Sequence, residues 1–253
     1  MPQRQSASIQ AEEIAQFSRH AEDWWNPHGK FRPLHQLNPV RLEYIRDQIC
    51  DHMQREAHAR HALKDLKILD VGCGGGLLTE PLVRMGAKVT GLDASDETIA
   101  IARQHAKQSG LSIDYKADSV EELAKSKVRY DVITALEIAE HVADLDSFLK
   151  AIRTLLKPNG LLIMSTLNRT PKSFLLGIVA AEYILNLVPR GTHQWQKFIR
   201  PSELVTRLEK IGLHASDLTG LVLNPLRNEF ELRKTDLDVN YMLTAKLAKP
   251  GAH

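Results

Sequence analysis

The chain has 253 residues, 43% of them hydrophobic and 25% charged, with a formal net charge of +2. That length suits one large α/β domain with an added segment, enough to bury an enzyme-sized core. The near-neutral balance argues against nucleic-acid binding through a broad basic face, and two cysteines, Cys50 and Cys73, make no disulfide framework and fit a reducing compartment.

Residues 1–10 are polar and read as a disordered tail, with neither the apolar stretch of a signal peptide nor the Arg-rich pattern of a transit peptide. A cytoplasmic location is expected. Ala11 to Trp25 is helix-like, with Ile14, Phe17 and Trp24 on its apolar side. After a loop containing Pro27, Gly29 and Pro33, a second helix is predicted over Pro39 to Met53, and residues 51–64 read as a surface connection. Residues 11–64 thus form a helical cap ahead of a domain over 65–250.

From Leu66 strands and helices alternate. Strands are predicted at Leu66–Val71, Lys88–Leu92, Ser112–Lys116, Tyr130–Ala135 and Leu161–Thr166. Helices are predicted at Leu77–Met85, Ser95–Gln108 and Leu145–Leu156, with a turn at Lys157-Pro158-Asn159-Gly160. Later come a helix over Pro201–Ile211 and strands near Leu218–Leu223 and Val239–Leu247. Such alternation argues an α/β fold, a mostly parallel sheet with helices on both faces, which binds ligands at the carboxyl ends of its strands.

Asp70-Val71-Gly72-Cys73-Gly74-Gly75-Gly76 follows the first strand and opens a helix. Glycines here allow a sharp turn and a close ligand approach. A dinucleotide loop would need a third glycine at position 77, which is Leu77, and the Lys and Ser/Thr of a P-loop are absent. The leading Asp70 suits a cationic ligand and would repel a pyrophosphate. Asp93, ending the second strand, is placed to accept hydrogen bonds from ribose hydroxyls, and Asp118, ending the third, to accept one from an adenine amino group. Alone, each acid could simply be a cap or turn residue. Together with the loop they predict an S-adenosylmethionine site that includes Asp70, Gly72, Gly74, Asp93 and Asp118. Cys73 reads as a small loop residue.

The fourth strand runs into Leu136-Glu137-Ile138-Ala139-Glu140-His141. On one helical turn Glu137, Glu140 and His141 would converge. They could hold a divalent ion such as Mg²⁺, or His141 alone could act as general base. Equally, Glu137 could cap the next helix and Glu140 be solvated. A nucleic-acid amino-methyltransferase would carry an Asn/Asp-Pro-Pro-aromatic motif here, which is absent.

These residues, with their flanking blocks, resemble the ubiquinone-biosynthesis O-methyltransferases. The blocks are Trp24-Trp25, Phe31-Arg32-Pro33-Leu34-His35, Asn38 to Leu42, Ser165 to Arg169, Ala181 to Leu185, Pro189 to His193 and Asp238 to Met242. The resemblance implies a Rossmann-like class I methyltransferase with a seven-stranded, mostly parallel sheet, an N-terminal helical lid and an apolar helical insertion after the fifth strand. It implies that Arg41 reaches the carboxylate of S-adenosylmethionine, that Gly72, Asp93 and the backbone near Leu136 line the donor, and that Glu137, Glu140 and His141 are Mg²⁺ ligands. The implied substrates are polyprenylated phenols and catechols, with other enzymes of quinone synthesis as partners. A soluble small-molecule methyltransferase and a non-catalytic donor-binding subunit are the alternatives; the first leaves the insertion unexplained and the second leaves the acidic–histidine cluster idle.

Ser173 to Val188 is nearly continuously apolar, interrupted by Glu182 and flanked by Lys172, Arg190, Lys197 and Arg200. Within an insertion over 170–200, such a helix would dock the inner membrane face as a peripheral element, or pack on the protein as a lid.

Overall fold

The structure is a computed structural model and describes residues 24–29, 31–175, 195–227 and 229–247. The expected tail at 1–10, most of the helix expected from Ala11, and the apolar run beyond Leu175 lie outside the described residues.

Helix α1 spans Arg32–Met53. It starts seven residues earlier than the sequence suggests, because Pro33 occupies the first turn, where a missing N–H costs nothing. Pro39 is accommodated inside the helix. Neighbouring side chains tie this stretch down: His35 Nε2 donates to the Trp24 carbonyl (2.9 Å) and Asn38 Nδ2 to the Leu77 carbonyl (2.7 Å).

The alternation then runs β1 (Lys67–Val71), α2 (Thr79–Arg84), β2 (Lys88–Asp93), α3 (Asp96–Gln108), β3 (Asp114–Ala117), α4 (Val120–Ala124), β4 (Tyr130–Leu136), α5 (Leu145–Leu155) and β5 (Leu156–Leu167). Ser95, Ser119 and Asp144 cap α3, α4 and α5 by accepting from backbone N–H groups three residues on. The predicted turn at Lys157–Gly160 is absorbed into β5 as an irregularity in its pairing with β4. Helix α6 (Pro201–Lys210) and the strands β6 (Leu213–Asn224), β7 (Glu229–Arg233) and β8 (Asn240–Leu247) follow.

The sheet has eight strands in the order β3-β2-β1-β4-β5-β8-β6-β7, correcting the expected seven. The first five are parallel, and β8, β6 and β7 pair antiparallel. The extra strand is β7, an edge strand whose sequence Glu-Phe-Glu-Leu-Arg alternates charged and apolar residues. It is too short to stand out beside the adjacent turn.

Alternate residues of each central strand feed opposite cores. Ile68, Val89, Val132, Ile163 and Met242 pack with Tyr44, Ile45 and Ile49 of α1 and Leu82 of α2. Leu69, Leu92, Ile133, Leu162 and Leu243 pack with Phe148 and Ile152 of α5 and Leu204 and Leu208 of α6. Each such fully buried side chain contributes about 1.5–3 kcal/mol. Two packed faces fix the register, and with it the carboxyl ends of β1 and β4, where the strand order reverses and an open α/β sheet leaves a ligand crevice.

Candidate active site

The glycine loop leaves β1 at that crevice. Gly72, Gly74 and Gly76 all have positive φ (71°, 53° and 91°), which explains why only glycine serves there. Asp93 straps the loop down: its Oδ2 accepts from Gly74 N and its Oδ1 from Ser95 N, both at 3.0 Å. Burial pushes its pKa up, and these backbone donors pull it back. Asp118 N donates to the Asp93 carbonyl (3.0 Å), which brings the ends of β2 and β3 together, and Asp118 Oδ1 accepts from Ser119 N (2.8 Å).

Asp70 has a different position from the one expected. It is buried, and its two oxygens accept from Thr79 Oγ1 (2.6 Å) and Thr134 Oγ1 (2.8 Å). Burial raises its pKa to about 6 against those two hydrogen bonds. The carboxylate braces β1, α2 and β4 beneath the loop, in place of the expected direct approach to a cationic ligand.

The loop after β4 lies against the glycine loop. Ile138 sits over Gly72, where an added Cβ would stand 3.0 Å from Ile138 Cδ1. This contact carries Leu136 and the acidic–histidine block to the glycine loop. The block is not one helical turn, as expected: Glu137 adopts a left-handed backbone (φ 51°), and only Ala139–His141 form a turn of 3₁₀ helix.

Glu137 Oε1 accepts from Arg41 Nη2 (2.8 Å), Ser165 Oγ (2.8 Å) and Asn240 Nδ2 (3.0 Å). Arg41 is buried, and burial draws its pKa down while Glu137 holds it up; a guanidinium remains a cation there. Glu140 is 3% exposed. Its Oε2 accepts from Thr166 Oγ1 (2.7 Å), while its Oε1 has no hydrogen-bond partner. Burial first, and the Glu137 charge second, raise its pKa to about 7, opposed by His141 beside it.

This arrangement does not fit a divalent cation. Glu137 is already balanced by Arg41, three donors crowd one of its oxygens, and a guanidinium stands where a second cation would be repelled. Among the described residues no group of three His, Cys, Asp or Glu side chains is placed to hold a metal ion. In this form the expected Mg²⁺ ligands Glu137, Glu140 and His141 are not assembled as a metal site. Arg41, expected to reach the donor, reaches Glu137 in this form.

Ser165, Thr166 and Asn240 carry no individual signature in the sequence. Their signal was positional: Ser165 and Thr166 end β5, the neighbour of β4, and Asn240 pairs with Leu167 at the start of β8.

The family model for a methyltransferase domain matches residues 41–216. The chain is 50% identical over 252 residues to a ubiquinone biosynthesis O-methyltransferase of Chelativorans sp. (strain BNC1), with 100% of this chain and 98% of that protein covered. It is 48% identical over 246 residues to the protein of the same name from Sinorhizobium fredii (strain NBRC 101917 / NGR234), covering 97% and 99%. Among solved structures, magnesium protoporphyrin IX methyltransferase from Synechocystis PCC 6803 with bound SAH superposes with a TM-score of 0.62 at 18% identity, over 92% of this chain and 95% of that one. A possible histamine N-methyltransferase from Thermotoga maritima gives 0.62 at 15% identity, over 94% and 100%. At those identities the likeness is one of fold.

Proposed function

The chain belongs to the ubiquinone-biosynthesis O-methyltransferases, and from that premise we propose that the crevice between the glycine loop and the β4 loop transfers a methyl group from S-adenosylmethionine to a ring hydroxyl of a polyprenylated phenol or catechol. The observation that carries the reading is the Ile138–Gly72 contact, which sets the acidic–histidine block against the donor loop.

S-adenosylmethionine supplies an electrophilic methyl group, and its sulfur leaves with the C–S electron pair. The chain's residues do the rest. Asp93 and the backbone of Gly72 and Gly74 bind the donor, with Asp118 at the adenine end and the Leu136 backbone along its wall. His141 takes the phenol proton as the new C–O bond forms, so that the products are the methyl ether and S-adenosylhomocysteine. Glu140, beside His141, stabilises the imidazolium. No step passes through a metal. An assay with a short-chain polyprenyl catechol tests the reading: His141→Ala should abolish turnover while S-adenosylhomocysteine binds nearly as before. Full turnover by that variant would remove His141 from the mechanism.

The same reading places the crevice mouth at a bilayer, since the substrate's isoprenoid tail is lipid-soluble. Thr170 to Ser173 leave β5 at its carboxyl end, anchored by Thr170 Oγ1 on the Asp238 carbonyl (2.6 Å) and by Trp195 Nε1 on the Thr170 carbonyl (3.1 Å). Leu175 follows with 58% of its surface exposed. Because β8 opposes β5 and β6 opposes β8, the β6–β7 turn projects from the same end. Leu226 on that turn is 96% exposed, and Asn224 Oδ1 holds it out by accepting from Leu226 N (3.1 Å). No helix among the described residues is long and apolar enough to cross a membrane; surface docking is the mode that fits these side chains. Co-sedimentation with anionic and neutral vesicles tests it, and equal binding to both, or none, would defeat it.

A further inference from the structure

Trp24 lies directly on the donor loop. A Cβ added to Gly74 would stand 2.4 Å from Trp24 Cη2, and one added to Gly75 would stand 2.7 Å from Trp24 Cβ and Cγ. The indole therefore runs along the two positions where the loop has no side chains. Its other contacts hold it there. Phe31 stacks on it with centroids 4.0 Å apart and planes at 10°. His35 grips its carbonyl. The next residue, Trp25, donates from Nε1 to the Gly75 carbonyl (2.9 Å) and stacks on His105 at 3.4 Å. His105 is fixed in turn by Nδ1–H donating to Glu80 Oε1 (2.7 Å).

Trp25 thus spends its N–H on the loop backbone. Trp24 does not: it is 8% exposed, and its Nε1 has no hydrogen-bond partner. A buried indole N–H ordinarily finds an acceptor, and leaving it unmet is unfavourable. Ring and backbone are both clamped, so the acceptor has to come to the N–H. The loop it faces is the one whose Gly74 N–H is already held by Asp93 Oδ2. S-adenosylmethionine brings carboxylate and ribose oxygens to such a loop.

The geometry points to Trp24 as a donor-binding residue: its indole N–H donates to an oxygen of bound S-adenosylmethionine. The assignment rests on the glycine loop being the donor site.

Trp24→Phe removes the N–H and keeps an aromatic ring on Gly74 and Gly75. By calorimetry, S-adenosylhomocysteine should bind that variant about tenfold more weakly, the scale of one hydrogen bond to a charged or strongly polar oxygen. KM for the donor should rise while kcat moves less than twofold, as for an interaction present equally in ground and transition states. In the wild type, the Trp24 indole proton followed by NMR should shift downfield and exchange more slowly when S-adenosylhomocysteine is added. Affinity unchanged within twofold, or an indole proton indifferent to ligand, overturns the assignment. Tighter binding by Trp24→Phe also overturns it, because the indole would then be a plug. Asp93→Ala separates the two levels: if it binds S-adenosylhomocysteine as the wild type does, the donor-site reading fails; if it loses binding while Trp24→Phe keeps it, only the role of Trp24 fails.

Discussion

Arg41 on α1 and Glu137 after β4 meet at 2.8 Å, joining the helix that precedes the sheet to the loop at its centre. The two residues are 96 positions apart, and the pair is the bolt between the cap and the methyltransferase core. Breaking one half of a buried ion pair costs more than the pair contributes, because the survivor is left uncompensated. Arg41→Ala should therefore destabilise the protein by about 3 kcal/mol, softened because Ser165 and Asn240 still donate to Glu137. Urea unfolding of Arg41→Ala, Glu137→Gln and the double variant checks this, with the double variant less unstable than the two losses added.

Asp93 holds Gly74 and Ser95 while facing the donor loop. Asp93→Ala should weaken S-adenosylhomocysteine binding by about a hundredfold, the loss of two charge-assisted hydrogen bonds. Calorimetric titration reads it. Binding within threefold of wild type would place the donor elsewhere.

Glu140 and Asp70 both have pKa values raised by burial, to about 7 and about 6. A carboxyl whose pKa is higher folded than unfolded binds its proton more tightly in the folded state, so folding is favoured most at acid pH. Stability should fall as pH rises from about 4, through the window between the ordinary carboxylate values and 7, and level off above it. Glu140→Gln should flatten the upper part of that slope and raise stability at pH 8. Melting temperatures across pH 5 to 8 test it; a slope unchanged by Glu140→Gln would mean the group does not carry the effect.

Cofactor-free protein should bind no Mn²⁺ stoichiometrically at micromolar concentration, because Arg41 already balances Glu137. Electron paramagnetic resonance of the titrated ion measures this. One tight site would mean that Arg41 leaves Glu137 in solution.

Leu175→Asp and Leu226→Asp should each lower binding to anionic vesicles by about tenfold, the scale of one fully buried leucine, without changing turnover of a short-tailed substrate. Vesicle co-sedimentation beside the soluble assay separates the two effects.

The strand ends and the glycine loop were readable because their signals are local. Asp70, Gly72 and Asp93 stand at boundaries that alternation alone locates, and positive φ at Gly72 and Gly74 is a backbone demand visible in composition. The site's internal pairing was not readable. Glu137, Glu140 and His141 have helical spacing, but the left-handed turn at Glu137 redirects the first of them toward Arg41 and Asn240, which arrive from α1 and β8. Spacing along the chain carries no information about partners brought by the sheet. In the sequence Trp24 falls on the apolar side of an amphipathic helix; its place on Gly74 follows from how the segment docks. Strand β7 was missed because a five-residue edge strand beside a turn has little periodicity to read.

The helix bearing Arg41 is seated by residues from the other end of the chain. Tyr44 Oη donates to Asp217 Oδ1 and shares a hydrogen bond with Thr244 Oγ1, each at 2.9 Å, and Leu221, Phe230 and Met242 line the surface under α1. Contacts closing such long loops form late in folding. A ribosome-bound chain ending before β6 can assemble the parallel strands and the glycine loop, but it offers α1 only part of its seat, without the partners of Tyr44 and without Leu221, Phe230 and Met242. The binding loop thus precedes part of its own wall during synthesis, and the seat of the Arg41 helix is completed by the strands made last.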